Sequence, residues 1–300
     1  MKTKYVLFFA TAFSFLAAGS CARDPKHITV NQSRNGDFQR IQEAIESVPS
    51  NNTEPKIVVP ESKPLIMLSC RKPNACVITW DAGGDIHHSP TVSVFASTFV
   101  GRYLTIQNTH RPGSKAVALR VTGDTVSFSS CRFISYQDTL FDEKGRHRYT
   151  NCYIEGAVDF IFGNAASFFE NCHLHSLSMG NWAITAQDRK SLRENTGFFF
   201  LGGKITGIRS CVLGRPWGLY SRVVFAYTHM SKVVLPQGWD DWDKAASHSK
   251  VYYGEYRCYG PGANRSERVG WSHSLTREGV SLFLSTLDVI DDKHWIKTKF

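Results

Sequence analysis

S-S-C-R-F-I-S-Y-Q-D-T-L-F (residues 129–141) and T-N-C-Y-I-E-G-A-V-D-F-I-F (150–162) set one pattern twice, and E-N-C-H-L (170–174) begins it a third time. Cys131, Cys152 and Cys172 are thus 21 and 20 residues apart. A repeat of that length marks a solenoid, in which each turn of chain stacks on the last. Around the cysteines apolar and polar residues alternate, as in Ser127-Phe128-Ser129 and Cys152-Tyr153-Ile154, which is the period of a strand. Helical patterning is scarce after residue 50. The expected fold is all-β, a right-handed parallel β-helix in which equivalent side chains stack coil upon coil. Cysteine suits an interior column because it packs as a small hydrophobe. Disulfides between stacked positions stay open at this point, Cys70 and Cys76 among them.

Outward from the repeat, one helix stands out. Asp37-Phe38-Gln39-Arg40-Ile41-Gln42-Glu43-Ala44-Ile45 places apolar residues at 38, 41, 44, 45 and 48, and Pro49 stops it. Such a helix caps the open end of a solenoid. Residues 239–250 and 275–295 are expected to cover the flank and the other end. With no linker in view, residues 23–300 read as a single domain. Residues 1–22 read as an export signal: Lys2 and Lys4, an apolar run over 6–18, then small residues. That run is too short for the ~20 residues that span a bilayer. The chain is expected to be secreted, extracellular and in the cell wall, with no membrane partner. The N-x-S/T sequons at Asn31, Asn51 and Asn264 fit an exported glycoprotein. A net charge of +9 favours polyanions. Outside the cell that means an acidic polysaccharide and not a nucleic acid.

Asp138 lies seven residues after Cys131, and Asp159 seven after Cys152. If the cysteines stack, the aspartates stack too, about 4.8 Å apart at the backbone. Two carboxylates that close cannot both ionise freely, so one holds a proton while the other stays charged. A hydrolase can use such a pair; solvated loop aspartates or a calcium site are the alternatives. Val158, Phe160, Ile161 and Phe162 around Asp159 argue against casual solvation. The serine-esterase signature G-x-S-x-G is absent. No histidines have convincing zinc spacing: His173 and His175 are expected on a coil surface, His87 and His88 in a loop.

A-V-A-L-R-V (116–121), Y-Q-D-T-L-F (136–141), G-A-V-D-F-I-F-G-N-A (156–165), L-G-R-P-W (213–217), Y-Y-G-E-Y (252–256) and G-D-F-Q-R-I-Q-E-A-I (36–45) together resemble the ordered motifs of plant-type pectin methylesterases without the inhibitory pro-region. The resemblance implies hydrolysis of galacturonate methyl esters in pectin by Asp159 as nucleophile. It implies Asp138 as general acid and then base, and Gln137 as oxyanion donor. Arg215 would bond to the nucleophile, and Trp217 and Phe162 would line the sugar cleft, Phe162 with core packing as the rival role. It further implies a monomer with no cofactor or metal, acting on methylated homogalacturonan, with a proteinaceous inhibitor as a candidate partner.

Two features depart from the family pattern. Lys115 stands where relatives carry glutamine before A-V-A-L-R, as a second oxyanion donor. Its charge would lower the pKa of nearby carboxylates and so work against a proton on Asp138. The chain also passes from Asn52-Thr53-Glu54 to Lys56-Ile57-Val58-Val59-Pro60 without the strand and turn that relatives place there. About half a coil is missing. Both departures favour a weakened or inactive pectin-binding wall protein as the alternative. A pectate lyase is the third reading, disfavoured because Asp159 sits among aromatics and not among further acids.

Overall fold

The computed structural model describes residues 4–9, 26–31, 37–46, 57–59, 61–62, 66–70, 75–243, 245–284 and 290. Three sheets, of eleven, seven and seven strands, wrap one core. Each coil visits them in the same order. Val126–Ser129 lies in the long sheet, Arg132–Ile134 in the second and Leu140–Asp142 in the third. Arg146–Thr150, Tyr153–Gly156 and Ile161–Gly163 repeat this one coil on, and Ala166–Glu170, His173–Ser176 and Ala183–Gln187 repeat it again. Their pairing is parallel throughout.

The stacking expected for the cysteines is present. Arg132 pairs with Tyr153 and Tyr153 with His173, so Cys131, Cys152 and Cys172 share one interior level. All three are buried free thiols, and burial pushes the Cys131 and Cys152 thiols well above their usual range. Before each comes a one-residue corner in the left-handed region: Ser130 at φ 53°, Asn151 at 54° and Asn171 at 57°. Asparagine tolerates that conformation better than most residues. Inside the long sheet, Phe128, Tyr149, Phe169, Phe200 and Phe225 stack at centroid spacings of 5.7, 4.7, 4.5 and 4.4 Å. Gly101 sits one coil earlier, and a Cβ there would meet the Phe128 ring at 2.4 Å.

The helix is shorter than its apolar spacing suggests, Ile41–Glu46, with residues 37–40 in bends and a bridge. Ile41, Ala44 and Ile45 are buried, and Phe38 packs beside them on the core. Pro49 and residues 50–56 lie outside the described residues. The Cys70–Cys76 pair, left open by the sequence, is a disulfide with Cα atoms 5.8 Å apart.

The N-terminal edge bears on the missing half-coil. After the helix the chain enters the third sheet at Ile57–Val59 and reaches the long sheet only at Ile66–Ser69. Among the described residues, the chain that follows the helix places no strand between Lys26–Asn31 and Ile66–Ser69 in the long sheet. Lys4–Phe9 occupies that slot, antiparallel to both neighbours in an otherwise parallel sheet. The rest of the expected export signal lies outside the described residues.

At the other end, residues from both expected segments take part. The closing stretch covers a flank: Val280 seals against Ala226 and Tyr256, and Leu275, Phe283 and Ile290 pack on Phe168, Phe199 and Val224, on the outward side of the long sheet. The core itself ends under Trp239, which is fully buried, and under Ala263, Val269 and Trp271. Glu255, one rung beyond Phe225, is 3 % exposed and bonds Arg265, Arg268 and the Trp239 indole. A buried carboxylate held by two guanidiniums ties this end segment down. No helix among the described residues is long and apolar enough to cross a membrane.

Candidate active site on the third sheet

Leu140 pairs with Ile161, and Asp138 and Asp159 each stand two residues before their member of that pair. Gln137 bridges Val158, and the Asp138 amide donates to the Val158 carbonyl at 3.1 Å. The two aspartates are therefore level on neighbouring coils, at the corner leading into the third sheet. Both adopt the left-handed region, at φ 63° and 46°. The same conformation turns the solenoid corners at Ser130, Asn151 and Asn171, so the two aspartates sit at equivalent corners of neighbouring coils. Burial is deep for both, with 6 % of Asp138 and 8 % of Asp159 exposed.

Arg215 arrives from Val212–Pro216, two strands further along the sheet, through the pairings Phe162 to Ala186 and Ala186 to Arg215. It donates Nε to Asp159 Oδ1 at 2.8 Å and Nη2 to Oδ2 at 2.6 Å. Two N–H donors facing two carboxylate oxygens require the ionised form, because a carboxyl O–H would meet a donor. On balance Asp159 lies above its ordinary value, because burial and Asp240 raise it more than the Arg215 fork lowers it, yet the fork's geometry fits the carboxylate. The Asp159–Arg215 pair is thus the charged half of the site.

Asp138 is the other half. Burial first, and then the Asp159 charge, raise it from 3.8 to about 7, against Lys115 and Arg215, which lower it. Lys115 acts in the direction its sequence position implies, but it does not win: dehydration outweighs an exposed ammonium. The carboxyl is protonated below neutrality. Behind it, the far end of its strand is pinned, since buried Asp142 accepts from His147 at 2.5 Å, from the Tyr149 hydroxyl at 2.7 Å and from Ser167.

Apolar walls complete the cleft. Phe141 and Phe162 stack at 4.6 Å, and Trp217 leans on Phe162 at 6.0 Å. Phe162 is 3 % exposed yet belongs to an outward cluster with Val117, Phe141 and Ala186, apart from the solenoid core. It is a floor for the cleft and not part of the main core. Gln137 is half-buried beside Asp138, its carbonyl accepting from the Ala116 amide at 3.0 Å.

Sequence reasoning missed three participants. Trp242 lays its ring against the Arg215 guanidinium at 3.9 Å, a cation–π contact that fixes the fork. Asp240 adds negative field, and Phe141 supports Phe162. Nothing in W-D-D-W-D (239–243), inside an unpatterned polar stretch, signals that Trp242 returns to the site. Phe141 could have been found, since it sits in the repeat at the same offset as Phe162.

The pectinesterase family model matches residues 27–285. An Arabidopsis thaliana protein bearing a pectinesterase name is 52 % identical over 284 residues, covering 90 % of this chain and 80 % of its own. Pectinesterase 31 of the same plant is 38 % identical, covering 90 % of this chain and 94 % of its own. Pectin methylesterase from carrot superposes with a TM-score of 0.84 at 30 % identity, over 89 % of this chain and 93 % of the carrot chain. With two level aspartates, the forked arginine and the aromatic walls on such a solenoid, the chain belongs to the pectinesterase family.

Proposed function

We propose that this chain hydrolyses the methyl esters of galacturonate in pectin through Asp159 and Asp138. The observation that carries it is the split between neighbours. One carboxylate is forked by Arg215, and the other is raised to about 7 one coil away.

Asp159 Oδ attacks the ester carbonyl carbon, and the carbonyl oxygen takes the negative charge. In this reading Gln137, the neighbour of Asp138, donates its side-chain amide N–H to that oxygen, and Lys115 adds positive field from the Asp138 side. Collapse expels methoxide, which takes the Asp138 proton and leaves as methanol. The galacturonyl group is then an anhydride on Asp159. Asp138, now a carboxylate, removes a proton from water as the oxygen attacks the galacturonyl carbonyl. Cleavage frees Asp159 as a carboxylate and pectin as an acid, with the proton back on Asp138. The cycle closes on these side chains without a cofactor.

The +9 charge suits an anionic polymer whose charge grows as the reaction proceeds. The exposed Asn264 of its sequon supports glycosylation, and the signal-like pattern of residues 1–22 supports export to the wall. Methanol release from methylated pectin, by the parent chain and by Asp159→Ala, tests the proposal. The parent should turn over, and the variant should lose about 10³-fold or more. A variant as fast as its parent would end the two-aspartate mechanism. A parent that binds pectin and releases no methanol would favour the inactive binder.

A further inference from the structure

The second sheet forms a different side of the solenoid, and its outward residues take no part in the hydrolysis described. Pairing sets Arg132, Tyr153, His173, Lys204 and His229 in one column, and the His229–Tyr259 bridge extends it. Rungs of about 4.8 Å put Arg132 and Lys204 about 14 Å apart along the axis. At the C-terminal end a cavity of about 380 Å³ opens between His173, Lys204, His229 and Tyr259.

The side chains here are held before any ligand arrives. His173 Nε2 and His175 Nδ1 both meet the Thr206 hydroxyl at 2.7 Å. Tyr153 sets its ring against both imidazoles, and the Arg132 guanidinium lies 4.5 Å over Tyr153. Burial, then the charges of Lys204, His175 and Arg132, push His173 down to about 4, so it remains a neutral hydrogen-bonding group at wall pH. The acid in the adjoining column, Glu155, is engaged by the Tyr153 hydroxyl. Lys204 is exposed and has no ion pair among the described residues, and Tyr259 is 57 % exposed, its ring 5.3 Å from that of His229 at 68°.

A cation with no anion, held polar rings and an exposed aromatic, set along one straight column, match a linear uronate polymer. Its carboxylates meet the ammonium, its hydroxyls the imidazoles, and its C–H faces the aromatic ring. We propose that this face is a second polysaccharide site, taking de-esterified, acidic stretches of pectin at Lys204, His173, His229 and Tyr259. The assignment rests on pectin as the substrate and adds to the cleft a tether for the product. A chain held there keeps the enzyme on a wall whose charge it has itself raised.

Retention of the full chain on immobilised polygalacturonate tests the site, beside methanol release from short methylated oligogalacturonides that fill only the cleft. Lys204→Glu and the Lys204→Glu, Tyr259→Ala pair should weaken retention about tenfold and flatten its salt dependence, with the rate on short oligomers unchanged. Lys190→Glu makes the same charge change elsewhere and should keep parental retention. Trp217→Ala, which alters the cleft, should keep it too. Equal losses for Lys190→Glu and Lys204→Glu would reduce the effect to net charge and overturn the proposal, as would parental retention by the double variant. Retention that depends on Lys204 in a chain releasing no methanol would leave the second site standing and remove the hydrolytic mechanism instead.

Discussion

At the scale of single residues, the site works by giving two identical side chains different surroundings. Asp159 is ionised because a guanidinium fork fits only a carboxylate. Asp138 has no such fork, and burial beside a neighbouring negative charge keeps its proton to about pH 7. Lys115 opposes that from an exposed position. The sign of its removal follows directly. Lys115→Gln takes away a positive charge, raises Asp138 further, and leaves the acid form present to higher pH. The alkaline limb of kcat/KM should move upward by up to about one pH unit, less in high salt. A pH–rate profile on methylated pectin checks it, and coincident limbs would mean that the ammonium has no influence on the reacting proton. Asp138 and Asp159 were legible in the sequence because a repeat assigns the same offset to the same place in space. Arg215 was legible only through family resemblance, since 56 residues separate it from Asp159 and no local pattern couples them.

At the scale of elements, the strands are three to five residues long over most of the coils, too short to stand alone, and gain stability by stacking. The aromatic column from Phe128 to Phe225 shows how: each ring covers the next at about the rung spacing. Phe169, at the centre, is 1 % exposed and lies between Tyr149 and Phe200. Phe169→Ala should destabilise the chain by about 3–5 kcal/mol, since neighbours fixed by sheet hydrogen bonds cannot collapse into the hole. Denaturant unfolding should show a lower midpoint at unchanged slope. A loss under about 1 kcal/mol would mean that the column is not a principal source of stability. The cysteine column was visible in advance from its spacing. The aromatic one was not singled out, although Phe128, Tyr149 and Phe169 each stand three residues before a cysteine of the repeat; Phe200 and Phe225 have no such cysteine, and only the register joins them to the column.

At the scale of the whole molecule, the solenoid has two unlike ends. Glu255, Arg265 and Arg268 lock one shut. At the other, Lys4–Phe9 lies between Lys26–Asn31 and Ile66–Ser69, where the described residues after the helix place no strand. If residues 1–22 are removed on export, that slot loses its strand and two neighbours lose hydrogen-bonded edges. A chain beginning at residue 23 should therefore melt below the same chain with about a dozen strand-forming residues restored after Glu54, by roughly 5–10 °C. Scanning calorimetry of the pair checks this, and equal midpoints would show that the first coil closes without the strand. Sequence alone determined the repeat, hence the solenoid, hence two carboxylates on adjacent rungs, because a periodic chain stacks like on like. Tertiary structure alone decided which carboxylate is charged, how Trp242 steadies Arg215, that Lys115 is outweighed by burial, and that Lys4–Phe9 pairs between Lys26–Asn31 and Ile66–Ser69. Those depend on distance and dehydration among residues far apart in the chain, which no local pattern encodes.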